Sequence, residues 1–250
     1  MLSADRKALI IRLVNERNSI TITELVEIFD TSESTIRRDL IALDKEGKIK
    51  KVFGGAQKID MPEQLVAYDD NFTIRSTQNL EAKLKIGKYA ASLIEDDDLV
   101  FLDAGTSTYM MIEFLIDSKA TFVTNGLKQA QALAGAKLNA YLLGGNLKSD
   151  TEAVVGGEAV RSLWRYNFTK GFFGVNGVTG EGGFMTPEAI EASVKEMALS
   201  KSKQVYVLAD HSKFGHRSMV SFAPIERGTI ITDENPGRDI MEKTEVIKVK

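Results

Sequence analysis

Small hydroxyl and basic side chains are concentrated in one stretch near the start of the chain. Between residues 35 and 58 there are seven Lys or Arg against three Asp or Glu, although the whole chain has a net charge of −3. Hydroxyl, guanidinium and ammonium groups are the side chains that hold DNA phosphates and reach base edges. We therefore predict that double-stranded DNA is contacted by Ser32, Ser34, Thr35, Arg37, Arg38, Lys50 and Lys51.

Each of these groups also has a simpler interpretation. The arginine pair could form a solvated helix face that Asp39, Asp44 and Glu46 neutralise, because exposed ion pairs of this kind are common and contribute little. The lysine pair could do no more than keep a surface hairpin soluble. The architecture around the arginines favours the DNA interpretation for them, whereas both interpretations of the lysines stay open.

A second group of polar residues follows a short apolar run in the middle of the chain. The segment Asp103-Ala104-Gly105-Thr106-Ser107-Thr108 opens a helical stretch. Hydroxyls and backbone amides at the positive end of a helix favour an anion such as phosphate, although Ser and Thr at such a junction are also ordinary helix caps. Glycine-bearing turns end other apolar runs at Thr124-Asn125-Gly126, Leu143-Gly144-Gly145 and Gly174-Val175-Asn176-Gly177. In an open α/β sheet, such turns lie at the edge that binds ligands.

The composition excludes several classes of protein. The chain has no Cys and two His, which leaves almost no material for disulfides, thiol nucleophiles or a zinc cluster, so we expect no metal and no cofactor. No apolar run approaches the length of a membrane span or of a signal-peptide core. We expect a cytoplasmic protein with no membrane partner.

Helices and a hairpin must position the first group of residues. Apolar residues at helical spacing predict a helix from about 4 to 17, and Thr21 with Glu24 forms a capping-box pattern that predicts a second helix. Ser32 can cap a third helix, which carries the arginines. Alternation over 48–53, followed by two glycines, predicts a small β-hairpin, which would form a wing.

The rest of the chain alternates strand-like and helical runs. The strand-like runs are 99–102, 121–123, 140–143, 171–175, 205–209 and 229–232. Helical stretches between consecutive strands predict a mostly parallel sheet with crossover helices. We therefore predict an α/β protein with a winged helix-turn-helix domain at 1–57, a polar linker at 58–76 and a sheet domain at 77–250.

The N-terminal motif resembles that of a known family. The run Ser32-Glu33-Ser34-Thr35-Ile36-Arg37-Arg38-Asp39-Leu40, followed by Lys51-Val52-Phe53-Gly54-Gly55-Ala56, resembles the helix-turn-helix signature of the DeoR family of bacterial repressors. A capped recognition helix, two adjacent arginines and a Gly-Gly wing occur in register, and the resemblance continues through essentially the whole chain. One departure is Phe53, which stands where family members often carry His, so we expect it to pack rather than to make a polar contact with DNA.

The resemblance implies that the sheet domain senses a phosphorylated sugar, in a fold similar to ribose-5-phosphate isomerase and glucosamine-6-phosphate deaminase. It implies a phosphate site at Gly105, Thr106, Ser107 and Thr108. The sugar would lie among Asp103, Asn125, Gly144, Gly145, Glu191 and Lys195, with Asp210 and Lys213 completing or bracing the pocket. The alternative for Glu191 and Lys195 is an i, i+4 helix pair at the surface.

The leading hypothesis is a DNA-binding transcriptional repressor, as a homodimer or homotetramer, that binds repeated operator half-sites and responds to a sugar phosphate. Segments 151–156 and 166–174 look like those of the subgroup that represses fructose or lactose phosphotransferase operons, which favours fructose-1-phosphate and places tagatose-6-phosphate second. The alternative is a sugar-phosphate isomerase with an appended helical domain. We expect no enzyme, because Gly174-Val175-Asn176-Gly177 replaces the acidic Asp-Gly-Ala-Asp-type segment of such isomerases, and an amide cannot exchange protons as a carboxylate would.

Overall fold

The chain divides into two units, Met1–Pro62 and Glu63–Lys250. This computed structural model describes residues 3–17, 19–46, 48–57, 65–66 and 71–250. The second unit begins inside the stretch that we predict as a linker, 58–76, of which 58–64 and 67–70 lie outside the described residues.

The last part of the predicted linker is a helix of the second unit, Phe72–Thr77. Asn71 caps this helix, because its Oδ1 accepts a hydrogen bond from the Thr73 amide at 2.8 Å. The Phe72 ring is buried edge-on against Tyr109, with the ring centroids 5.5 Å apart. The second unit therefore starts earlier than the predicted residue 77.

In its described residues, the first unit contains three helices and a small antiparallel sheet. In chain order the elements are α1 (Ser3–Arg17), β1 (Ser19–Thr21), α2 (Ile22–Phe29), α3 (Glu33–Lys45), β2 (Lys50–Val52) and β3 (Gly55–Gln57). The strand order is β1-β3-β2, so the predicted hairpin of β2 and β3 gains β1 as a strand that we did not predict. The arrangement confirms the predicted winged helix-turn-helix.

Local hydrogen bonds fix the ends of α2 and the start of α3. The Thr21 hydroxyl accepts from the Glu24 amide at 3.2 Å and the Glu24 carboxylate accepts from the Thr21 amide at 2.8 Å, which completes the predicted capping box. Asp30 ends α2 in the left-handed conformation, with a φ of 44°. The Ser32 hydroxyl caps α3 by accepting from the Thr35 amide at 3.3 Å. These caps define the turn between the two helices.

A shared apolar core and an ion pair hold the three helices together. The core contains Ile10, Val14, Ile20, Ile22, Leu25, Ile36, Leu40, Leu43, Ile49 and Ala56. Arg6 Nε donates to Asp39 Oδ2 at 2.6 Å, and both side chains are largely buried. Because this pair joins α1 to α3, it fixes the rotation of α3 about its axis and therefore the face that α3 turns outward.

The tip of the wing is attached to the start of α2. Gly54 has a φ of 86°, which glycine adopts without strain, and its carbonyl accepts from the Ile22 amide at 2.8 Å. A Cβ at Gly55 would lie 2.3 Å from the Ile20 carbonyl oxygen, so β3 packs directly on the β1 backbone. Phe53 is fully exposed, and our expectation that it packs is wrong. Phe53 lies in the two-residue tip of the β2–β3 hairpin, between the paired residues Val52 and Gly55, where little of the domain is beside its side chain.

Within 65–66 and 71–250, the second unit is built around a seven-stranded sheet. The strands of the whole unit, in this sheet and in smaller ones, are β4 (Leu65–Val66), β5 (Leu99–Leu102), β6 (Thr121–Thr124), β7 (Asn139–Leu142), β8 (Asn146–Leu147), β9 (Val154–Val155), β10 (Phe168–Gly174), β11 (Gly177–Thr179), β12 (Gly183–Thr186), β13 (Ser202–Leu208), β14 (Arg217–Ser218), β15 (Val220–Ala223), β16 (Thr229–Thr232) and β17 (Val246–Lys248). Its α-helices are α4 (Phe72–Thr77), α5 (Leu80–Ser92), α6 (Thr106–Tyr109), α7 (Leu127–Gly135), α8 (Gly157–Leu163), α9 (Ala189–Ser200) and α10 (Arg238–Met241). Short 3-10 helices occur at Ile112–Phe114, His211–Lys213 and Ile225–Arg227. No helix in the described ranges is long and apolar enough to cross a membrane.

The seven strands run parallel in the order β17-β16-β13-β10-β5-β6-β7. Apolar clusters cover both faces, one containing Phe101 and Phe173 and the other Leu102 and Phe172. The predicted mostly parallel α/β sheet is confirmed. We did not predict β17, nor the separate antiparallel sheet of β11, β12 and β15. Because β10, β5 and β6 are neighbours, their carboxyl ends lie side by side.

Candidate functional site

Helix α3 turns two arginines to solvent in the first unit. Arg37 Nε donates to Glu33 Oε1 at 2.8 Å, one turn earlier on the same helix. Arg38 is exposed as well, and within the described residues it forms no ion pair. The alternative interpretation, a neutralised helix face, therefore accounts for Arg37 through Glu33 and leaves Arg38 available to a phosphate or a base edge.

The acids that we considered as neutralising partners are used elsewhere. Asp39 and Glu46 pair with basic residues of α1, and Asp44 Oδ1 accepts from the backbone amide of Lys51 at 2.7 Å. That last bond connects the final turn of α3 to β2, the strand on which Lys50 and Lys51 are exposed. The wing lysines and the α3 arginines thus belong to one hydrogen-bonded framework.

The hydroxyl residues at the start of α3 form a cluster. Ser32 Oγ lies 3.0 Å from Ser34 Oγ and 2.8 Å from Thr35 Oγ1, in addition to its cap bond. Ser32 and Ser34 are exposed and Thr35 is half-buried. The first turn of α3 therefore carries preassembled hydroxyls next to the arginines, as direct contacts with DNA require.

A cleft of about 600 Å³, counted with its open mouth, lies at the carboxyl ends of β5, β6 and β10 in the second unit. Most of the predicted effector residues line it, namely Asp103, Gly105, Thr106, Ser107, Asn125, Glu191, Lys195 and Lys213. It is also lined by Ala104, Gly174, Val175 and Asn176, which belong to turns that we predicted at the ligand-binding edge, and by Arg75, Lys83, Thr151 and Ala153, which we did not predict. Parallel α/β sheets bind their ligands at this edge.

A buried ion pair lies at the inner end of the cleft. Lys195 Nζ donates to Asp103 Oδ2 and, at 3.0 Å, to the Gly174 carbonyl oxygen. The Gly174 amide donates to the same Asp103 oxygen at 3.0 Å. Asp103 and Lys195 are 2% and 7% exposed. A polar ligand entering the cleft would meet a carboxylate and an ammonium group whose positions are already fixed.

Glu191 forms a second buried polar cluster with the segment between β8 and β9. Its Oε1 accepts from Lys148 Nζ at 3.0 Å and from the Thr151 hydroxyl at 2.8 Å. Burial opposes ionisation of Glu191, but the charges of Lys195 and Lys148 lower its pKa below the usual value. The alternative of a surface i, i+4 pair is wrong, because Glu191 and Lys195 are both buried and their hydrogen bonds go to other groups.

Thr106 and Ser107 line the cleft, but Thr108 does not. The Thr108 hydroxyl donates to the Asp103 carbonyl oxygen at 2.5 Å, with the Gly105 carbonyl oxygen 2.7 Å away, so it braces the turn instead. The helix that follows, α6, has four residues. Because a single turn carries only a small dipole, the helix-end argument for an anion has less force here than the sequence suggests.

Positive charge comes instead from Arg75, Lys83 and Lys213, which we call the cationic group. Lys83 is buried, and its Nζ donates to the Arg75 carbonyl oxygen, which joins α5 to α4. Burial lowers the pKa of Lys83 to about 8; the charge of Asp210 opposes this shift, and those of Lys213 and Arg75 add to it.

Asp210 lies behind the cleft rather than in its lining. It is fully buried, and its Oδ1 accepts from Asn79 Nδ2 at 2.9 Å and from the Ser212 amide at 3.0 Å. It therefore holds the short 3-10 helix that carries Lys213, which is the bracing role that the family resemblance allowed.

Gly144 and Gly145, predicted to contact the sugar, do not line the cleft. They follow β7, which is the edge strand of the central sheet, one strand beyond the cleft. Gly144 is exposed, and a Cβ at Gly145 would lie 2.7 Å from the Val155 carbonyl oxygen, so Gly145 packs against β9. The strand order explains the difference, because alternation along the chain does not reveal which strand is at the edge.

Arg75 and Lys83 line the cleft although we did not predict them as binding residues. Arg75 falls in the stretch that we assigned to the linker. Lys83 left a usable signal, since it precedes Ile86 by three residues and Ala90 by seven, which places it on the buried stripe of α5. A lysine on an apolar stripe is expected to have a specific partner or ligand.

Matches to solved structures have low TM-scores and low identities. The chain matches ribose 5-phosphate isomerase A from Methanocaldococcus jannaschii with a TM-score of 0.42 and 15% identity, over 54% of this chain and 55% of that one. It matches the full-length sorbitol operon regulator SorC from Klebsiella pneumoniae with a TM-score of 0.38 and 13% identity, over 83% and 88%.

Comparisons of sequence cover the whole chain. Residues 6–61 match the DeoR-like helix-turn-helix domain, and residues 78–234 match the DeoR C terminal sensor domain. The chain is 42% identical to the uncharacterized HTH-type transcriptional regulator FruR of Bacillus subtilis (strain 168), over 100% of both proteins. It is 35% identical to the lactose phosphotransferase system repressor of Staphylococcus aureus (strain NCTC 8325 / PS 47), over 96% of this chain and 94% of that one. Two domain matches and full-length identity at this level show that the chain belongs to the DeoR family and is a DNA-binding transcriptional regulator, not an enzyme.

Proposed function

We propose that the chain represses an operon for sugar uptake or catabolism, and that a phosphorylated sugar bound in the cleft controls its binding to operator DNA. The observation that carries the proposal is the cleft itself, where the cationic group and the Asp103–Lys195 pair line one cavity. The names of two relatives, a FruR regulator and a lactose phosphotransferase system repressor, support a sugar operon.

The cationic group suits a phosphate. A phosphate dianion offers several acceptor oxygens, and the guanidinium of Arg75 with the ammonium groups of Lys83 and Lys213 offers matching charged donors. The hydroxyls of Thr106 and Ser107 line the same cleft and can add neutral hydrogen bonds. The phosphate would then be held mainly by side-chain charge and only secondarily by the turn that precedes α6.

The buried acids and Lys195 suit the hydroxyls of a sugar. A hydroxyl both donates and accepts, so Asp103 and Glu191 can accept from it and Lys195 can donate to it. Asn125 has a supporting part, because its Oδ1 accepts from the Ala104 amide at 3.1 Å and so holds the turn after β5. We favour fructose-1-phosphate as the effector and place tagatose-6-phosphate second.

Thermal unfolding with a set of sugars tests the effector. We expect fructose-1-phosphate to stabilise the protein by about 2.7 kcal/mol at a hundredfold excess over its Kd, a shift of several degrees. Fructose should give no shift, because it leaves the cationic group unoccupied. Tagatose-6-phosphate, fructose-6-phosphate and ribose-5-phosphate are the comparison ligands, and no shift with any phosphorylated sugar would contradict the proposal.

A pair of variants tests whether the two units have separate roles. Arg38→Ala should weaken binding to operator DNA about tenfold or more and leave the effector-induced shift unchanged, because Arg38 lies on α3. Thr106→Ala should weaken effector binding and leave DNA binding without effector unchanged. Fluorescence anisotropy with a labelled operator and the unfolding assay measure the two effects. Equal losses in both assays for both variants would rule out this separation.

The lowered pKa of Lys83 predicts a pH dependence of effector binding. In the free protein Lys83 loses its proton around pH 8, and a phosphate beside it would raise the pKa again. Binding at pH 8 should therefore take up about half a proton, and affinity should fall as the pH rises from 7 to 9. Calorimetry in two buffers of different ionisation enthalpy measures the uptake. Lys83→Arg is the matched control, because arginine stays charged over this range and should abolish the pH dependence of effector affinity. If the affinity of the unchanged protein is constant from pH 7 to 9, the phosphate binds elsewhere.

The surface at β7 supports a homodimer or homotetramer. Tyr141, Leu142 and Leu147 are exposed there, and residues 138–147 include no charged side chain. Free edge strands are normally protected by charges. Two-fold pairing of β7 with the same strand of a second copy would bring this segment against itself, which an uncharged segment tolerates.

Light scattering should give the mass of a dimer or tetramer of the 27.5 kDa chain. Leu142→Lys should shift the mass toward the monomer, because each copy would bring a charged side chain into an otherwise uncharged interface. Ile116→Lys is the matched control, since Ile116 is an exposed apolar residue outside β7 and outside the uncharged segment 138–147. A monomer of the unchanged protein at micromolar concentration would contradict the oligomer, whereas an unaffected Leu142→Lys oligomer would contradict only the interface.

A further inference from the structure

Phe53, at the tip of the wing, is the most exposed large apolar side chain among the described residues. Its relative accessibility is 108%, compared with 45% for Ile28 and 54% for Ile41 in the same unit. A phenyl ring surrounded by water forgoes the free energy that its burial would supply. The first unit therefore leaves this ring outside its own core, where a partner could cover it.

The support of the ring is rigid. Residues 52 and 55 pair across the β2–β3 hairpin, and the Gly54 carbonyl accepts from the Ile22 amide at 2.8 Å. Gly55 packs directly on the Ile20 carbonyl oxygen. Because the backbone on both sides of Phe53 is already fixed, contact by the ring costs little conformational entropy.

The surroundings of the ring indicate what it contacts. Residues 48–57 contain Lys48, Lys50 and Lys51, all exposed, and no acid. A minor groove has charged phosphate rims around an interior of sugars and base edges, so a ring flanked by ammonium groups is complementary to it. A lysine-flanked ring would be poorly matched to a purely apolar protein surface, because its ammonium groups would lose water without gaining partners.

The wing is also coupled to the helix that carries the DNA-contacting residues. Asp44, in the last turn of α3, accepts from the Lys51 amide at 2.7 Å, two residues before Phe53. When a helix lies in the major groove, a neighbouring segment of the same domain can reach the adjacent minor groove. The bond from α3 to β2 fixes the spacing between these two contacts.

We propose that Phe53 inserts its ring into the minor groove next to the major-groove site of α3 and partly unstacks one base step. The proposal rests on the DNA-binding function of the first unit and adds to it an apolar, shape-dependent contact. Pyrimidine–purine steps unstack most easily, so the ring would favour operators with such a step at a fixed distance from the bases that α3 contacts.

The test uses the full-length protein and a duplex that it has itself enriched from a randomised pool. Phe53→Ala should bind this duplex at least about tenfold more weakly, with the same dependence on salt as the unchanged protein, because no phosphate contact is lost. Lys51→Ala should instead reduce the salt slope by about one. Phe53→Leu should retain most of the affinity, since leucine can also wedge between bases. Ile28→Ala is the matched control for an exposed apolar residue elsewhere in the unit.

Fluorescence of 2-aminopurine, placed in turn at each adenine of the duplex, reports unstacking. With the unchanged protein we expect an increase at one step, and with Phe53→Ala no increase. Equal affinity of Phe53→Ala and the unchanged protein, or an affinity loss with no fluorescence change at any adenine-containing step in either protein, would overturn the insertion. Thermal unfolding should show no difference between the two proteins, because the ring touches nothing in the domain. Failure of the unchanged protein to enrich any duplex would contradict the DNA-binding function instead.

Discussion

The buried ion pair between Asp103 and Lys195 joins three elements of the second unit, the ends of β5 and β10 and the helix α9. Two charges taken out of water are costly unless they are paired and their remaining hydrogen bonds are satisfied. The Gly174 amide and carbonyl supply part of that satisfaction, which requires β5 and β10 to be neighbours. The inner end of the cleft is thus a consequence of strand order.

The cationic group has a different character, because it places three basic side chains in the lining of one cleft. Burial lowers the pKa of Lys83 to about 8, the charge of Asp210 opposes this shift, and the charges of Lys213 and Arg75 add to it. A protein that places like charges together in a partly desolvated site gives up some stability in the free state. An anion recovers that free energy on binding, which makes charge the main term in selecting a phosphorylated ligand over the parent sugar.

The sequence predicts well those features of the structure that depend on residues close together in the chain. The capping box of Thr21 and Glu24 and the cap at Ser32 involve residues three positions apart, and the structure has both. Turns after apolar runs identified Asp103 and Asn125 because parallel strands end at a common edge. The sequence could not show that Thr108 would turn inward to the Asp103 carbonyl, or that Gly145 would follow an edge strand, since both depend on which strands become neighbours. The predicted packing of Phe53 was wrong for a related reason, because the burial of a side chain at the hairpin tip depends on what the fold places beside the tip.

A regulator needs its effector to distinguish two arrangements of the protein, since a ligand with equal affinity for both shifts nothing. Helix α4 is well placed for that purpose along the chain, because it is the first helix after the connection between the units and carries Arg75. A helix of six residues is marginal by itself. It is held by its Asn71 cap, by Phe72 against Tyr109, and by the bond from Lys83 to its Arg75 carbonyl. A phosphate bound by the side chains of both Arg75 and Lys83 would strengthen the last of these attachments, so effector binding would stabilise α4 against the sheet domain.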